Sequence, residues 1–265
     1  MNIDFHTHGK LAKYLAFSPD YTDWLFDAAK RAGLDAICLT EHFNTQGFHQ
    51  VYADISARYP RTGDAFDVDG LLVFPGMEVD IAESGHTLVL GPMEDILDFN
   101  GALEPNKDKR SFLPFDRLAD EVERRGLHFG AAHPFRAPGR IPELAGSQLK
   151  RFEFVDLNGK DLSRDRTRTV ERTYAFAERL GGVPVVSGSD THQAFQYGCV
   201  VTRMKRSCTT FDELFEQVHR RSYQIALADD LEFRVTAAAT LKRALKEIDR
   251  LGGSYVQTIL AGPAA

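Results

Sequence analysis

Histidine and acidic residues recur close to the ends of short apolar runs along this chain. Four such runs cover residues 37–39, 71–74, 129–132 and 183–186. The histidines and acids near the run ends and near the amino terminus are His6, His8, Glu41, His42, Glu78, His86, His133, Asp190 and His192. Parallel strands of an α/β barrel bring their carboxyl ends to one face, where barrel enzymes keep their chemistry. The pattern therefore predicts one metal site at the end of a barrel.

The length and charge of the chain suit a single barrel domain. Its 265 residues fall in the range that α/β barrels occupy as one domain, so we expect a single domain over 1–265. The formal net charge is −6, with both signs interspersed. The sequence shows no basic stripe of the kind that holds duplex nucleic acid by its phosphates, so a nucleic-acid partner is not indicated.

Neither secretion nor a membrane is indicated by the sequence. The first residues lack the basic and apolar regions of a signal peptide, and no uncharged stretch reaches about eighteen residues. We therefore expect a soluble cytoplasmic protein without membrane contact. Cys38, Cys199 and Cys208 form an odd set without close pairing, as expected for reduced thiols packed in or near a core.

Apolar runs alternate with amphipathic stretches, which is typical of βαβ units and predicts parallel strands. The predicted strands are 2–5, 36–40, 71–75, 87–90, 128–132, 152–157, 183–187, 199–202 and 223–227. The predicted helices are 21–31, 115–125, 166–180, 211–220 and 232–251. We expect the last helix to pack on the outside of the barrel. Residues 54–70 and 94–111 are expected to be surface loops, the second one close to the mouth of the site, and the tail 261–265 is expected to be frayed.

The spacing of the candidate ligands suits metal binding. Side chains at positions i and i+2 of a strand point the same way, so His6 and His8 present two imidazoles to one point. Asp190 and His192 repeat that spacing. Imidazole and carboxylate groups are ligands that suit zinc, manganese and iron. The two oxygens of Glu78 can bridge two ions about 3.5–4 Å apart, as in two-metal hydrolases.

Not every histidine is assigned to this site. A lone histidine is more often structural than a ligand, and we give that role to His49, His128 and His219. His86 opens a predicted strand instead of closing one. Gly85 before it allows a hairpin that returns His86 towards Glu78.

At this point the chain resembles the PHP family, named for its polymerase and histidinol phosphatase members. The resemblance runs from residue 1 to about residue 223. It is carried by the segments 4–8 (Asp-Phe-His-Thr-His), 39–42 (Leu-Thr-Glu-His), 76–78 (Gly-Met-Glu), 86–91 (His-Thr-Leu-Val-Leu-Gly), 132–134 (Ala-His-Pro) and 188–192 (Gly-Ser-Asp-Thr-His). Taken in order, this set of segments is highly specific.

The resemblance implies an α/β fold, a distorted seven-stranded TIM-like (β/α)7 barrel, with up to three metal ions. The ligand set that it implies for the first ion is His6, His8, Glu78 and Asp190. Glu78 would also bridge to a second ion held by His86 and His133, while His42 and His192 would face a third.

One position departs from the family pattern. The family completes the third site with an aspartate or histidine about five residues beyond the His-x-His, and the count arrives here at Lys13. An ammonium group is a poor ligand at neutral pH but binds phosphate well. Two arrangements follow: two metals with Lys13 as a cation, which we prefer, or three metals completed by Asp20, Glu41 or water. Glu41 otherwise would orient His42.

The predicted reaction is hydrolysis of a small phosphorylated metabolite or nucleotide. Water bridging two dications would lose a proton near neutral pH and attack phosphorus in line. Glu78, Asp190, Lys13 and Arg136 are the predicted catalytic residues. The candidate substrate-binding residues are Lys10, Lys13, Arg136, Asn158 and Lys160. The sequence shows neither a Gly-x-Ser-x-Gly motif nor a phosphate-binding P-loop, so serine hydrolysis and nucleotide-dependent transfer have no support.

Two alternatives stay open. An amidohydrolase also begins with His-x-His, although that family normally carries a metal-bridging lysine where this chain has Glu78. The other alternative is a metal-stabilised binding or regulatory module without turnover, of which Lys13 would be the sign. The sequence also leaves open the substrate, the choice and number of ions, and the oligomeric state.

Overall fold

The computed structural model describes residues 1–261. The tail predicted to be frayed lies outside the described residues, except for Ala261. The strands are β1 (Asn2–Thr7), β2 (Ala36–Leu39), β3 (Arg61–Thr62), β4 (Ala65–Val68), β5 (Leu71–Ile81), β6 (Gly85–Leu90), β7 (His128–Ala132), β8 (Phe154–Asn158), β9 (Val185–Gly188), β10 (Val200–Met204) and β11 (Tyr223–Leu227). The α-helices are α1 (Pro19–Arg31), α2 (Phe48–Arg58), α3 (Met93–Ala102), α4 (Phe115–Arg125), α5 (Gly146–Leu149), α6 (Gly159–Leu162), α7 (Arg166–Arg179), α8 (Phe211–His219), α9 (Leu231–Arg250) and α10 (Tyr255–Leu260).

The strands form one sheet that curls into a nearly closed barrel. Its order is β11-β10-β1-β2-β5-β6-β7-β8-β9, with the β3–β4 hairpin attached to β5. The chain just beyond β9 returns to β1, where the Asp190 N–H donates to the His6 carbonyl at 2.7 Å and the His8 N–H donates to the Thr191 carbonyl at 3.0 Å. The predicted α/β class is confirmed. The path through the sheet has nine strands, so a count of seven is not what the structure shows.

The prediction of parallel strands was wrong for β10, and β6 is antiparallel as well, as the hairpin predicted before His86 requires. β1, β2 and β5 run parallel, as do β7, β8 and β9, but β6 is antiparallel to both β5 and β7, and β10 is antiparallel to β1. Only residues 82–84 join β5 to β6, and so short a connection permits a hairpin but no parallel crossover. The hairpin places His86 opposite Asp80.

Both segments predicted to be loops contain helices. Residues 54–70 include the end of α2 and the β3–β4 hairpin, and residues 94–111 include most of α3. α2 buries Val51, Tyr52 and Ile55, and α3 buries Ile96 and Phe99. These buried residues have helical spacing, but the polar residues of the exposed faces dominate both segments. Among residues 1–261, no helix is both long and apolar enough to span a bilayer.

An aromatic cluster fills the barrel below the candidate ligands. Phe5 lies 6.4 Å from Phe154, and Phe154 lies 5.6 Å from Phe215 of α8, measured between ring centroids. Phe5 directly precedes His6, and Phe154 stands two residues before Asp156 on its strand. Both strands therefore run from this aromatic cluster into the group of candidate polar residues.

Gly130 makes room for this cluster, which generates a stability prediction. A Cβ atom at residue 130 would lie 2.2 Å from Cε2 of Phe154. We expect Gly130→Ala to lower the free energy of unfolding by about 1–3 kcal/mol through overpacking, measured by urea denaturation. Gly101→Ala is the control, because nothing lies within 4 Å of its added Cβ. Equal stability of both variants would contradict this account of the barrel interior.

Candidate metal centre

Glu78 lies at the centre of a group of imidazoles. It stands on β5 with 1% of its surface exposed. Its Oε1 lies 2.7 Å from Nδ1 of His86 and 2.9 Å from Nε2 of His133. Its Oε2 lies 2.9 Å from Nδ1 of His42. The hairpin predicted from Gly85 therefore brings His86 to this carboxylate.

His6 and His8 complete the group from β1. The Nε2 atoms of both rings lie 3.6 Å from Oε2 of Glu78. Oδ1 of Asp190 lies 3.3 Å from Nε2 of His8 and 3.9 Å from Nε2 of His6. The ring of His192 stacks on that of His8 with centroids 4.0 Å apart. All eight sequence-predicted ligands are thus brought together.

Three overlapping trios have donor atoms within 4.8 Å of one another. They are His6, His8 and Asp190; His6, Glu78 and His133; and His8, His42 and His192. The third trio does not include Lys13, and it shares His8 with the first. This donor set of imidazoles and carboxylates is the one that zinc, manganese and iron take in proteins.

The donor atoms fit a bound cation because several have no other partner. Nε2 of His6, both ring nitrogens of His8 and Oε2 of Glu78 are buried without a hydrogen bond of good geometry. Buried polar atoms are normally paired, so the unpaired Nε2 atoms of His6 and His8, both 3.6 Å from the unpaired Oε2 of Glu78, mark a missing partner. A divalent ion satisfies nitrogen and carboxylate donors together.

The electrostatics agree with this fit. Burial alone would raise the pKa of Glu78, but His86, His42 and His6 outweigh it and hold that pKa well below its usual range. Burial would lower the pKa of His6, yet Glu78 and Asp190 raise it to about 10. The carboxylates therefore stay ionised and draw positive charge into the cluster.

Irregular backbone aims two of the ligands. His133 has a φ of 28° and Asp190 a φ of 55°. Both values are positive, and residues other than glycine rarely adopt a positive φ. The pairing of β1 with β2 shifts register between Asp4 and Thr7, and such irregularities re-aim side chains beside functional sites. Gly188 permits the close approach, because a Cβ there would lie 2.3 Å from Cβ of His6.

Hydrogen bonds behind the ligands fix their ring orientation. Nδ1 of His6 lies 3.0 Å from Oδ2 of Asp156. Nδ1 of His192 donates to the Lys10 carbonyl at 2.8 Å, which leaves Nε2 of that ring free to bind a metal. Glu41, which we expected to orient His42, accepts from the backbone N–H of His42 at 3.0 Å, and the ring beside its Oε1 is that of His8, with Nδ1 at 3.7 Å. Glu41 also accepts from the N–H of Gly9 at 3.1 Å.

Asp156 is the residue that sequence reasoning missed. It is buried near the end of β8, two residues before Asn158, and Nδ2 of Asn158 donates to it at 2.9 Å. A carboxylate on the inner side of a strand that ends at the site was the available signal. It did not stand out because β8 contributes no metal ligand of its own.

Three of the predicted substrate-binding residues surround Asp190. Nζ of Lys160 lies 2.9 Å from Oδ1 of Asp190. The guanidinium of Arg136 contacts the other oxygen of Asp190 and the side-chain oxygen of Asn158, and its Nε donates to Asp161 at 3.0 Å. Burial would raise the pKa of Asp190, but Lys160 and Arg136 lead the effects that hold it well below its usual range.

The two predicted lysines of the loop after β1 differ in position. Lys10 is buried, with 2% exposed, and its ammonium donates to the Thr45 hydroxyl at 3.0 Å and to the Gln46 carbonyl. It does not face the site, so we leave Lys10 out of the substrate-binding set. Lys13 is exposed and lines a cavity that also contains His86.

This cavity, the entrance cavity, has a volume of about 500 Å³. His86 and His133 form part of its wall, and its other basic residues are Lys13, Lys107, Lys109 and Arg136. Residues 107–109 belong to the segment predicted to come close to the mouth of the site.

Of the histidines assigned structural roles, His128 and His219 both contact Glu153.

No family model and no curated protein matches the chain. It is similar in structure to PsfC from Pseudomonas syringae PB-5123, with a TM-score of 0.73 and 23% identity over 92% of this chain and 98% of that one. The lesion-specific endonuclease Q of Pyrococcus furiosus has a TM-score of 0.60 and 16% identity, over 85% of this chain and 58% of that one. A two-domain protein of Bacteroides vulgatus, described as containing a predicted PHP-like metal-dependent phosphoesterase, has a TM-score of 0.55 and 16% identity, over 89% and 69%. At these identities the likeness establishes the shared fold.

Asp156 generates a prediction on metal affinity. Its carboxylate orients His6, and losing such an outer partner lowers metal affinity by about 10–100-fold. We therefore expect Asp156→Asn to bind zinc that much more weakly than wild type in a competitive chelator titration. The exposed Asp229→Asn is the control. Equal affinity in the two variants would show that Asp156 does not support a metal ligand.

Proposed function

We propose that the chain is a metal-dependent phosphoesterase of the PHP superfamily that hydrolyses a small phosphorylated molecule. The observation that carries this proposal is the buried Glu78 carboxylate with five imidazoles and Asp190 around it. The fold shared with a protein described as containing a predicted PHP-like metal-dependent phosphoesterase supports it.

The ligand roles follow the three trios. His6, His8 and Asp190 would hold one ion, Glu78 would reach from it to a second at His133 and His86, and His42 and His192 would face a third. Two or three zinc, manganese or iron ions bound there would polarise a phosphoryl oxygen and activate water for attack.

The cations of the chain would act on the phosphate. Arg136 is held by Asp190, Asn158 and Asp161, so its guanidinium is already fixed in position beside the centre. Preorganised cations stabilise the charge that develops on a phosphoryl group without reorganising during reaction. Lys13 on the rim and Lys160 beside Asp190 would add charge from two further directions.

The entrance cavity favours a small substrate. Its volume of about 500 Å³ falls in the range of small-molecule pockets. The net charge of −6 disfavours long-range attraction of a nucleic acid, although a related fold is used by an endonuclease. A phosphorylated metabolite or a mononucleotide therefore fits better than a duplex.

Glu78→Gln tests catalysis directly. The substitution keeps the shape but removes the carboxylate charge that the imidazoles surround. We expect hydrolysis of p-nitrophenyl phosphate or bis(p-nitrophenyl) phosphate to fall by about a thousandfold or more, as for loss of a central electrostatic group. Assays use zinc, manganese or iron in turn, and metal content is measured alongside. The exposed Glu171→Gln is the control and is expected to keep full activity.

The same assay separates the alternatives. A metal-loaded wild type that hydrolyses neither ester would contradict the phosphoesterase proposal. If it then hydrolysed amide or lactone substrates, and lost that activity in Glu78→Gln, the amidohydrolase alternative would hold. A binding module would lose bound metal or stability in Glu78→Gln and would show no activity in wild type.

The number of bound ions tests the role of Lys13. Because the third trio shares His8 with the first, we expect two ions per chain in wild type and three in Lys13→Asp, whose carboxylate would supply a further ligand. Mass spectrometry of untagged protein measures both. Three ions in wild type with an unchanged number in Lys13→Asp would instead support the three-metal arrangement, in which Asp20, Glu41 or water supplies the ligand.

A further inference from the structure

A second cavity, of about 450 Å³, lies between α9, α6 and the segment after Asp190. Its charged residues are all basic, and we call it the basic cavity. They are Lys160, Arg164, Lys242, Arg243 and Lys246. Among the described residues, no aspartate or glutamate lines it. The proposed function makes no use of the three cations on α9.

The helix α9 presents one face to this cavity. Val235, Ala239, Lys242 and Lys246 recur at helical spacing and all line it, so they share one stripe of the helix. Ala239 has a short side chain, which leaves space that the long lysines reach across. From the sequence we expected α9 only to pack on the outside of the barrel. The structure shows that one stripe of α9 also forms a wall of the basic cavity.

The cations of α9 have no acidic partner in the described part of the chain. Within residues 1–261, no ion pair involves Lys242, Arg243 or Lys246, and Nζ of Lys246 lies 5.2 Å from the ring of Tyr14. Burial lowers the pKa of Lys242 to about 7, and Lys160 adds to that effect. Like charges held together in a partly enclosed space are unfavourable unless an anion joins them.

The basic cavity borders the metal centre. His192 belongs to the third ligand trio and also lines this cavity. Lys160 lines it too, and its Nζ lies 2.9 Å from Oδ1 of Asp190. A molecule that occupies the basic cavity would therefore lie beside the centre, on the side of His192, whereas the entrance cavity lies on the side of His86.

We propose that the basic cavity binds an anionic group, a phosphate or a carboxylate, through Lys242, Arg243 and Lys160. Two sources share this chemistry. The first source is a second anionic end of the substrate, and this alternative rests on the proposed function. The second source is a free anion that binds beside the centre. The binding itself does not depend on the proposed function.

The first test measures binding of inorganic phosphate to the metal-loaded chain by calorimetry. We expect wild type to bind phosphate at the metal centre and in the basic cavity. The double variant Lys242→Gln/Arg243→Gln should lose the second site, with affinity there weakened by about tenfold or more because charge-assisted hydrogen bonds are removed. Lys205→Gln, an exposed lysine elsewhere, is the matched control and should bind like wild type.

A stability measurement distinguishes a binding role from a structural one. Replacing a crowded ammonium by a neutral amide relieves repulsion, so Lys242→Gln should have a higher Tm than wild type without phosphate. The Tm of Lys242→Gln should then rise less than that of wild type when phosphate is added, because a ligand that binds only the folded chain stabilises it. A Lys242→Gln chain with a lower Tm and an unchanged gain from phosphate would assign Lys242 to the structure and overturn the proposal.

Turnover separates the two sources of the anion. p-Nitrophenyl phosphate is compared with its ring-carboxylated analogue, which differs by one anionic group. If the substrate supplies the anion, Lys242→Gln raises KM for the carboxylated ester alone. If a free anion binds, added phosphate or sulfate changes turnover of both esters in wild type and not in Lys242→Gln.

Equal phosphate binding by wild type and the double variant would overturn the anion site, whatever the turnover assay gives. Loss of phosphate binding in the double variant, together with no ester hydrolysis by wild type, would support the anion site and count against the proposed function alone.

Discussion

The structure depends on keeping two carboxylates ionised inside the barrel. Glu78 and Asp190 are buried, and taking such charges out of water is costly unless partners surround them. Glu78 is partnered by imidazoles that arrive from β1, from the hairpin strand β6 and from the loops after β2 and β7. The barrel must therefore be nearly closed for the site to exist, since one open segment would leave a charge without its partners.

The site and the closure of the barrel are the same set of contacts. The backbone of Asp190 bonds to His6 and that of Thr191 bonds to His8, which joins the chain beyond β9 to β1. At this junction Asp190 has a positive φ of 55°. Strain of this kind persists where the surroundings hold it in place. Arg136 and Lys160 provide that hold through the Asp190 carboxylate, so substrate-side cations also support the fold.

The candidate ligands could be named from the sequence because they follow strand ends and because the chain resembles a known family. The two-residue repeat of a strand indicated His6 and His8, whereas the assignment of His86 depended mostly on the resemblance. Asp156 could not be found this way, because its role arises from a contact with His6 across 150 positions of the chain. α2 and α3 were missed since tertiary packing, not composition, selects their apolar faces. The antiparallel strand β10 was missed because apolar content alone does not give strand direction, whereas Gly85 indicated the hairpin into β6.

Charge is distributed unevenly in this acidic chain, and the distribution has a functional consequence. The net charge is −6, yet basic residues concentrate at two cavities on different sides of the metal centre. Long-range attraction of an anion to the chain as a whole is therefore weak. The basic cavity has no acidic lining residue among those described, whereas Asp80 and Asp108 line the entrance cavity together with its basic residues. An anion that enters the basic cavity therefore meets unopposed cations there, while selectivity in the entrance cavity rests on the metal centre itself.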